Sequence, residues 1–447
     1  MQRALAINEW LHPSRTDYVV SYCDNQPMRL SQLRQQVQAL CDALLAQPGQ
    51  RWALCFDDSY LFTAALLAAL HAGKTVIIPG HCRPSLLEEQ SELFDGLLTD
   101  IDLALACPQL RVGAAQHTNA PALPPVSADT EVVLFTSGST GKPRLVRKPV
   151  ACLDRESAWL VALWGERLQG CWLLASVTHQ HLYGLAFRII LPMALGLPFS
   201  SRQLLYSEQL SAQPADRQYA FISSPAFLRR LDFSLTPPAC KLIVSAGGVL
   251  PDTAADAAAQ WLQLAVDEIY GSTETGVLAW RSRADVSARW QPFQAVTFSC
   301  DEQQHWWARS PIIPQADGVP LDDKLAFAAD GSFELCGRHD RVVKIEDKRI
   351  SLSEIERRLL ALPDVSDAVA LQVARHGRSA IGVVLVLARQ PDTQQLTELK
   401  RQWRRELQRW LEPVAMPRFW RVVPVIPHNS QSKRAWPQIQ ELFYVAG

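Results

Sequence analysis

The sequence predicts an α/β protein with a large N-terminal domain and a smaller α+β domain at its C-terminus. The chain has 447 residues, which is too long for one ordinary hydrophobic core. Short buried strand patterns alternate with helical patterns through the N-terminal part. The composition changes at Arg338, where a basic segment begins.

The N-terminal part has the alternation that is typical of a parallel sheet. Apolar residues recur at helical spacing over 31–46, which predicts an amphipathic helix. "RWALCF" and "KTVIIPG" predict short buried strands, and the apolar stretch 61–72 between them predicts a helix. The same order continues through "CWLLASV", "YAFISS" and "KLIVSAGG". A repeated β–α–β order favours parallel strands covered by helices.

The remaining chain is predicted to contain a β-rich section and the small domain. Residues 281–335 contain short, tryptophan-rich runs separated by turns at 316–318 and 330–331, which predicts a β-rich section. Ser351 followed by Glu354 predicts a capping box and a helix start. "DAVALQVAR" and "AIGVVLVLA" predict a hairpin. A last amphipathic helix is predicted over 393–411, with five residues on its buried side: Leu396, Leu399, Trp403, Leu407 and Trp410. We therefore predict domains at 1–337 and 338–447.

Composition narrows the class of protein. Hydrophobic residues make up 48% and charged residues 20%, as in ordinary globular proteins, and the net charge of −1 does not favour nucleic acid as a partner. The N-terminus lacks the apolar core of a signal peptide, and the most apolar helical stretch is too short to span a bilayer. Ten cysteines without a CxxC pair favour reduced thiols. We therefore expect a cytoplasmic protein without a membrane span.

Charge is unevenly distributed between the two predicted domains. From Arg338 onward there are 19 Lys and Arg against 12 Asp and Glu, a net charge of +7. The preceding part has 25 against 33, a net charge of −8. An acidic large domain is thus followed by a basic small one.

The stretch "LFTSGSTGKPRLVRK", which begins at Leu134, has the composition of an anion-binding loop. It is not a Walker P-loop. That motif requires glycine where Thr136 stands, and it requires serine or threonine after the lysine, where this chain has Pro143. Glycines nevertheless allow backbone N–H groups to converge on an anion, hydroxyls add donors, and lysine adds charge. The residues concerned are Thr136, Ser137, Gly138, Ser139, Thr140, Gly141 and Lys142. Taken alone, the stretch equally fits a polar surface turn.

Four motifs in this order resemble those of the acyl-adenylate-forming superfamily, which includes acyl- and aryl-CoA ligases, peptide-synthetase adenylation domains and luciferases. They are "FTSGSTGKP", "EIYGSTETG", "CGRHDRVVKIEDKRISLSEIE" and "PHNSQSKR". The resemblance covers nearly the whole chain. It implies that the first loop holds the β- and γ-phosphates of ATP. It also implies that His181, in "SVTHQHLYGL", lines the acyl pocket, and that Gly247 and Gly248, in "SAGGVL", border adenine and the acid.

The resemblance assigns further roles residue by residue. In "YGSTE", Tyr270 is expected to pack on adenine with Gly271 and Ser272 beside it, Thr273 to meet the α-phosphate, and Glu274 to bind Mg²⁺. Asp323 and Arg338 match the two residues that contact the ribose in the family. Asp340 matches its hinge residue, and Lys433 matches its adenylation lysine.

The chemistry implied is an attack by a carboxylate on the α-phosphorus of ATP, followed by transfer of the acyl group to a thiol. Mg²⁺ on Glu274 and the cation of Lys433 would stabilise the developing negative charge, with His181 and Thr273 placing the reactants. The small domain is expected to rotate about Asp340 between the two half-reactions.

Several positions depart from the family pattern. Leu145, Asp347 and Ser432 stand where glycine is usual, and Leu321-Asp322 stand where Thr-Gly usually precedes the ribose aspartate. Because Asp347 matches a loop near the acceptor thiol, these departures bear more on thioester formation than on adenylation.

The sequence leaves three questions open. An amino acid is disfavoured because His181 occupies the place of the aspartate that holds an α-ammonium, but an aromatic and a fatty acid both remain. The acceptor could be an acyl carrier protein or coenzyme A. A non-catalytic descendant that binds nucleotide or acyl-adenylate as a sensor or scaffold is the alternative to a ligase.

Overall fold

The structure of the chain is a computed structural model that describes residues 3–23, 26–113, 122–136, 144–284, 288–303, 305–338, 341–345, 348–375, 378–389, 391–411, 413–429 and 434–444. The chain forms two compact units. The larger unit comprises Met1–Phe298 and Ala308–Val319, and the smaller unit comprises Ser299–Trp307 and Pro320–Gly447. The predicted division into domains at 1–337 and 338–447 stays a prediction.

Two mixed sheets form the centre of the larger unit, as far as its residues are described. The first has nine strands, in the spatial order Gln291–Pro292, Gly276–Ser282, Asp267–Ser272, Cys240–Ser245, Gln218–Ser223, Cys171–Ala175, Phe199–Ser200, Val19–Cys23 and Gln26–Arg29. Its inner strands are parallel, and antiparallel pairs occur only toward its edges. The parallel sheet predicted from the β–α–β order is thus confirmed for the inner strands.

The second sheet has six strands in the described part of the chain, in the order Gln109–Arg111, Gly96–Thr99, Arg51–Cys55, Thr75–Ile78, Glu131–Thr136 and Arg144–Pro149. All neighbouring strands are parallel except the last pair, which is an antiparallel hairpin. The carboxyl ends of parallel strands meet at one edge of a sheet, which is where α/β proteins bind their ligands.

Helices cover these sheets. Their bounds are Leu30–Leu45, Ser59–His71, Pro84–Glu89, Val150–Leu168, Leu182–Gly184, Leu191–Leu195, Ser207–Ser211, Pro225–Leu228 and Asp252–Leu262, with single 3₁₀ turns at Ile7–Glu9 and Ser91–Leu93. Ser59–His71 is buried on nearly every face, as expected for a helix that is apolar all round. A π-helical stretch, Leu185–Ile190, joins the short helices on either side of it. None of the described helices is long and apolar enough to cross a lipid bilayer.

The β-rich section predicted for 281–335 is confirmed. Its strands are Gln291–Pro292, Thr297–Cys300, Trp306–Arg309, Val319–Leu321, Asp323–Phe327 and Phe333–Arg338. The predicted turns fall between these strands, and Gly318 and Gly331 both have positive φ, at 83°.

The smaller unit contains the predicted hairpin and helices. Its strands after Arg338 are Val342–Ile345, Lys348–Ser351, Val365–Arg375, Arg378–Leu387 and Phe419–Val422, and its helices are Leu352–Leu360, Thr393–Leu407 and Trp436–Tyr444, with a 3₁₀ turn at Pro413–Ala415. Its core includes Trp403 and Trp420, whose rings stack 5.8 Å apart. The predicted fold class is confirmed.

Two details of this unit correct the sequence predictions. The helix predicted to reach residue 411 ends at Leu407. Trp410, which was expected on the buried side of this helix, is 58% exposed. The guanidinium carbon of Arg358 lies over its ring, 4.2 Å from the ring centroid. Beyond the end of a helix, the 3.6-residue period no longer determines which way a side chain points. The prediction that Trp410 is buried was therefore wrong. At Ser351, the hydroxyl accepts from the N–H of Glu354 at 3.2 Å, whereas the Glu354 carboxylate pairs with Arg357 and Arg358.

Candidate active site

The hairpin formed by Glu131–Thr136 and Arg144–Pro149 positions the predicted phosphate loop. Thr136 is the last residue of a strand that runs parallel to Thr75–Ile78, so the loop leaves from the carboxyl edge of the six-stranded sheet. Thr136 and Arg144 are register partners, and the Thr136 hydroxyl donates a 3.4 Å hydrogen bond to the Arg144 carbonyl oxygen.

The rest of the loop, which comprises Ser137, Gly138, Ser139, Thr140, Gly141 and Lys142, lies outside the described residues. Its phosphate-binding role stays a prediction. The structure describes only the two strands from which it extends.

A second hairpin, Asp267–Ser272 and Gly276–Ser282, carries the "YGSTE" residues. The turn is closed by paired hydroxyls: the Ser272 N–H donates to Thr275 Oγ1 at 2.9 Å, and the Thr275 N–H donates to Ser272 Oγ at 3.2 Å. A Cβ at Gly271 would lie 2.1 Å from the Gly276 carbonyl oxygen, so the two strands leave no space for a side chain. This local geometry holds Thr273 and Glu274 at the tip of the hairpin.

The two hairpins meet at Glu274. Arg144 Nη1 lies 3.9 Å from Glu274 Oε1, and Lys148 Nζ donates a 2.8 Å hydrogen bond to the Glu274 backbone carbonyl oxygen. The end of the phosphate-loop hairpin and the predicted metal carboxylate are therefore adjacent, although they are far apart in sequence.

The surroundings of Glu274 fit a magnesium ion that is shared with a nucleotide. The Glu274 side chain is 24% exposed, so its carboxylate is partly accessible, and the Arg144 guanidinium is a cationic neighbour at 3.9 Å. The described residues contain no group of three or more His, Cys, Asp or Glu that could hold a metal alone. Mg²⁺ is commonly held by one or two carboxylates together with substrate phosphates and water, and Glu274 offers that kind of ligand.

His181 lies at the carboxyl edge of the six-stranded sheet. It is the residue before the helix Leu182–Gly184, and a Cβ built on Gly80 would lie 3.0 Å from its ring carbon Cε1 and 3.7 Å from the Phe135 carbonyl oxygen. His181 thus lies beside the ends of two parallel strands, one of which leads to the phosphate loop. Gly80 has φ +82°, which favours glycine.

Its neighbour His179 is a core residue. Its Nδ1 lies 2.8 Å from Ser59 Oγ and its Nε2 lies 3.1 Å from the Phe56 carbonyl oxygen. Burial lowers the pKa of His179 well below its ordinary value, which keeps it neutral. The two histidines of "THQH" therefore have different surroundings.

The glycines predicted to border the acid lie on an exposed turn after the strand Cys240–Ser245. Gly247 has φ +88°, and both Gly247 and Gly248 are exposed. The Tyr183 hydroxyl supports the strand end before this turn by donating hydrogen bonds to the carbonyl oxygens of Val244 at 3.1 Å and Ser223 at 2.9 Å. "HLYGL" thus contributes a strand-bridging tyrosine as well as His181.

Tyr270 occupies the strand before the Glu274 turn. Its ring lies 5.8 Å from that of Trp290, at an interplanar angle of 55°. The guanidinium carbon of Arg281 lies over the Trp290 ring, 4.4 Å from the ring centroid. Tyr270 is thus packed from one side by a buried tryptophan, and its adenine-stacking role stays a prediction.

In the smaller unit, Asp323 and Arg338 are brought together by the antiparallel hairpin Asp323–Phe327 and Phe333–Arg338, in which they are register partners. Arg338 also forms a 2.8 Å ion pair with Asp322, which stands where the family usually has glycine. The predicted ribose-binding pair is therefore adjacent, with an additional acidic neighbour. Lys433, Asp340, Asp347 and Ser432 lie outside the described residues.

The sequence reasoning missed Lys148 and Glu156, which contact the Glu274 hairpin from beneath. Lys148 is 2% exposed and Glu156 is 4% exposed. The available signal was that Val146 and Lys148 alternate on the buried face of a strand, where a lysine requires a partner.

No protein-family model matches the chain. Among curated proteins, the 4-coumarate–CoA ligase of Cereibacter sphaeroides is 27% identical over 256 residues, which cover 56% of this chain and 58% of that ligase. The 4-coumarate–CoA ligase of Rhodobacter capsulatus is 26% identical over 325 residues, which cover 69% and 76%. The first of these alignments spans less than two thirds of the ligase.

Among solved structures, ATP-bound MatB from Rhodopseudomonas palustris has a TM-score of 0.83 to this chain at 16% identity, and the match covers 99% of both chains. The chain therefore has the same fold as that structure over nearly its whole length.

Proposed function

We propose that this chain, a member of the acyl-adenylate-forming superfamily, is an ATP-dependent carboxylate ligase that forms an acyl- or aryl-adenylate, releases pyrophosphate and transfers the acyl group to a thiol. The observation that carries this proposal is the meeting of two hairpins at Glu274. Arg144, at the end of the phosphate-loop hairpin, lies 3.9 Å from the Glu274 carboxylate. A magnesium nucleotide needs such an arrangement, because its phosphates and its metal must be held side by side.

The residues divide the work as follows. Thr136 and the loop after it bind the β- and γ-phosphates, Tyr270 packs on adenine, and Asp323 with Arg338 holds the ribose. Mg²⁺ held by Glu274 neutralises phosphate charge when it is bound. Thr273 places the α-phosphate, and Lys433 stabilises the charge that develops as the carboxylate attacks and pyrophosphate leaves. The reaction needs no covalent protein nucleophile, since positioning and electrostatics suffice.

The acid that we propose is aromatic. His181, Gly247 and Gly248 are the residues that the family pattern places around the acid, and His181 stands where an α-ammonium would need a carboxylate. The two curated relatives above are named for an aromatic acid, 4-coumarate. A fatty acid is the competing choice.

The acceptor that we propose is the thiol of an acyl carrier protein, with coenzyme A as the competing choice. Carrier proteins are acidic, and the predicted small domain has a net charge of +7. Rotation about Asp340 would exchange the adenylation and transfer states. A cytoplasmic location is part of the proposal.

The experiment is ATP–pyrophosphate exchange with a panel of aromatic acids, fatty acids and amino acids. We expect Mg²⁺-dependent exchange with at least one aromatic acid and with no amino acid. Exchange with fatty acids alone would overturn the choice of acid. Tight ATP binding without exchange on any acid would overturn the ligase proposal and favour a nucleotide-binding sensor or scaffold.

A further inference from the structure

We propose that Lys148 is a positioning residue for the metal-binding carboxylate: its buried ammonium holds the backbone of Glu274 against the hairpin that carries the phosphate loop. This inference rests on the proposed function, because it takes Glu274 as the Mg²⁺ ligand. It assigns Lys148 no contact with substrate.

Lys148 connects three segments of the larger unit that are distant in sequence. It lies in the strand Arg144–Pro149, opposite Val132 of the partner strand. Its Nζ donates a 2.8 Å hydrogen bond to the carbonyl oxygen of Glu274 and a 3.4 Å hydrogen bond to the carbonyl oxygen of Ile312. One cation thereby ties the phosphate-loop hairpin to the Glu274 turn and to the segment around Ile312.

Glu156 holds the same turn at its other end. It lies in the helix Val150–Leu168, and its Oε1 accepts a 2.8 Å hydrogen bond from the Val277 N–H. A Cβ at Gly276 would lie 3.0 Å from that Oε1 and 2.7 Å from Ile312 Cδ1, so the turn is closely packed. The residues between Glu274 and Val277 are therefore fixed at a carbonyl by Lys148 and at an N–H by Glu156.

Lys148 and Glu156 also compensate each other's charge. Burial raises the pKa of Glu156, and attraction to Lys148 opposes that shift. Burial likewise lowers the pKa of Lys148, and attraction to Glu156 opposes it. An isolated buried charge is costly, so each residue makes the other acceptable beneath the turn.

Fixing this turn has a direct consequence for the metal. The Glu274 carboxylate must be placed relative to phosphates that are held by a different hairpin, and Lys148 joins the two. Groups that orient a metal ligand without touching the metal typically change metal affinity or activity by about 10–100-fold when they are removed. We therefore expect the role of Lys148 to appear in the Mg²⁺ dependence and not only in stability.

The test compares Lys148→Met with Lys74→Met. Lys74 is a matched control, because it is also buried, at 4% exposure, and its Nζ donates to two backbone carbonyls, those of Gln47 at 2.9 Å and Gly49 at 2.8 Å. It precedes the strand Thr75–Ile78 at its amino end, whereas the site lies at the carboxyl edge. Both variants lose a buried ammonium, but only one loses a contact with the Glu274 turn.

Two measurements are made on the full-length proteins. The first is the Mg²⁺ concentration that half-saturates ATP–pyrophosphate exchange. The second, which needs no turnover, is calorimetric titration of Mg²⁺ into protein with saturating ATP. For Lys148→Met we expect about a tenfold or greater rise in both Mg²⁺ constants. For Lys74→Met we expect a lower melting temperature with both constants unchanged.

Unchanged Mg²⁺ constants in a folded Lys148→Met protein, or equal rises in both variants, would overturn the positioning role. If Lys148→Met does not fold, the double variant Lys148→Met with Glu156→Gln replaces it, because it removes the ammonium together with the buried charge that the ammonium compensates, while the amide oxygen can still accept from Val277. A rise in the Mg²⁺ constants of this variant supports the inference, and unchanged constants overturn it. Absence of exchange by the wild-type protein would count against the proposed function instead, and the calorimetric titration would still decide the role of Lys148.

Discussion

Arg341 donates a hydrogen bond to the carboxylate of Glu356 within the smaller unit. The same oxygen, Oε1, accepts a 2.8 Å hydrogen bond from the Ala370 N–H and lies 3.9 Å from Arg434 Nη1. Arg341 directly follows the predicted hinge Asp340, and Arg434 directly follows the predicted adenylation residue Lys433. One carboxylate thus links the neighbours of both residues.

The link through Glu356 predicts a defect in adenylation. Glu356→Gln removes the charge that holds Arg341 and weakens the anchor next to Lys433. Misplacement of a reacting group by about 1 Å can cost a factor of about 100, so we expect the kcat of ATP–pyrophosphate exchange to fall by about 10–100-fold. The KM for ATP should change little, because the phosphate loop and Tyr270, which hold the phosphates and adenine in the proposed function, belong to the larger unit. Glu406→Gln, at an exposed glutamate paired with Arg409, is the control. A rise in KM with normal kcat would contradict the link.

Lys433 itself is predicted to act in the first half-reaction. Lys433→Ala should cut adenylate formation by about 10²–10³-fold, the scale for losing one partner of a transition-state charge. Binding of ATP, measured by equilibrium titration, should stay close to that of the wild-type protein. Near-normal pyrophosphate exchange by the variant would show that another residue supplies the cation.

Asp154 predicts a pH-dependent change in stability. Its carboxylate accepts a 2.8 Å hydrogen bond from the Ile7 N–H, and burial raises its pKa from 3.8 to about 6. Because the folded state binds this proton more tightly, the stabilisation is fully present below the unfolded pKa and is lost as pH rises toward about 6. Asp154→Asn keeps an acceptor for Ile7 without the charge.

The melting temperature of Asp154→Asn, minus that of the wild-type protein, should therefore increase between pH 4 and pH 6 and then level off. Asp317→Asn, at an exposed aspartate, should show no such rise. A difference that shrinks as pH rises would mean that the Asp154 carboxylate is favoured in its charged form, contrary to the prediction.

The basic helix Thr393–Leu407 predicts how the acceptor is recognised. Arg401, Arg404 and Arg405 are exposed on it and could attract an acidic carrier protein. Arg401→Glu combined with Arg405→Glu should slow carrier loading, more strongly at low salt because salt screens such attraction, and should leave pyrophosphate exchange unchanged.

The control for this prediction is the charge reversal of two cations of the larger unit, Lys241→Glu with Arg111→Glu, which should leave carrier loading unchanged. Unchanged loading by the Arg401/Arg405 variant at low salt, or efficient turnover with free coenzyme A alone, would contradict a carrier-docking role for the helix.

Local pattern in the sequence was enough to determine the element types, the fold class and the order of the motifs. Alternating and helical periodicities depend on neighbouring residues, so "RWALCF", "KTVIIPG" and the helix between them were predicted where the structure has them. The glycine in "YGSTE" was recognised from its motif, and the structure explains it by the 2.1 Å that would separate its Cβ from the Gly276 carbonyl oxygen.

Only the tertiary structure decided which distant residues meet. The order of strands in the two sheets brings Arg144 and Lys148 to Glu274, and the hairpin register sets Asp323 opposite Arg338. The sequence pattern did not distinguish Lys148 from the other cations after the phosphate loop, although Lys148 is buried. It predicted that Trp410 is buried on a helix, although Trp410 is exposed. Burial depends on what the rest of the chain packs against each side chain, whereas the sequence pattern reports only the element to which that side chain belongs.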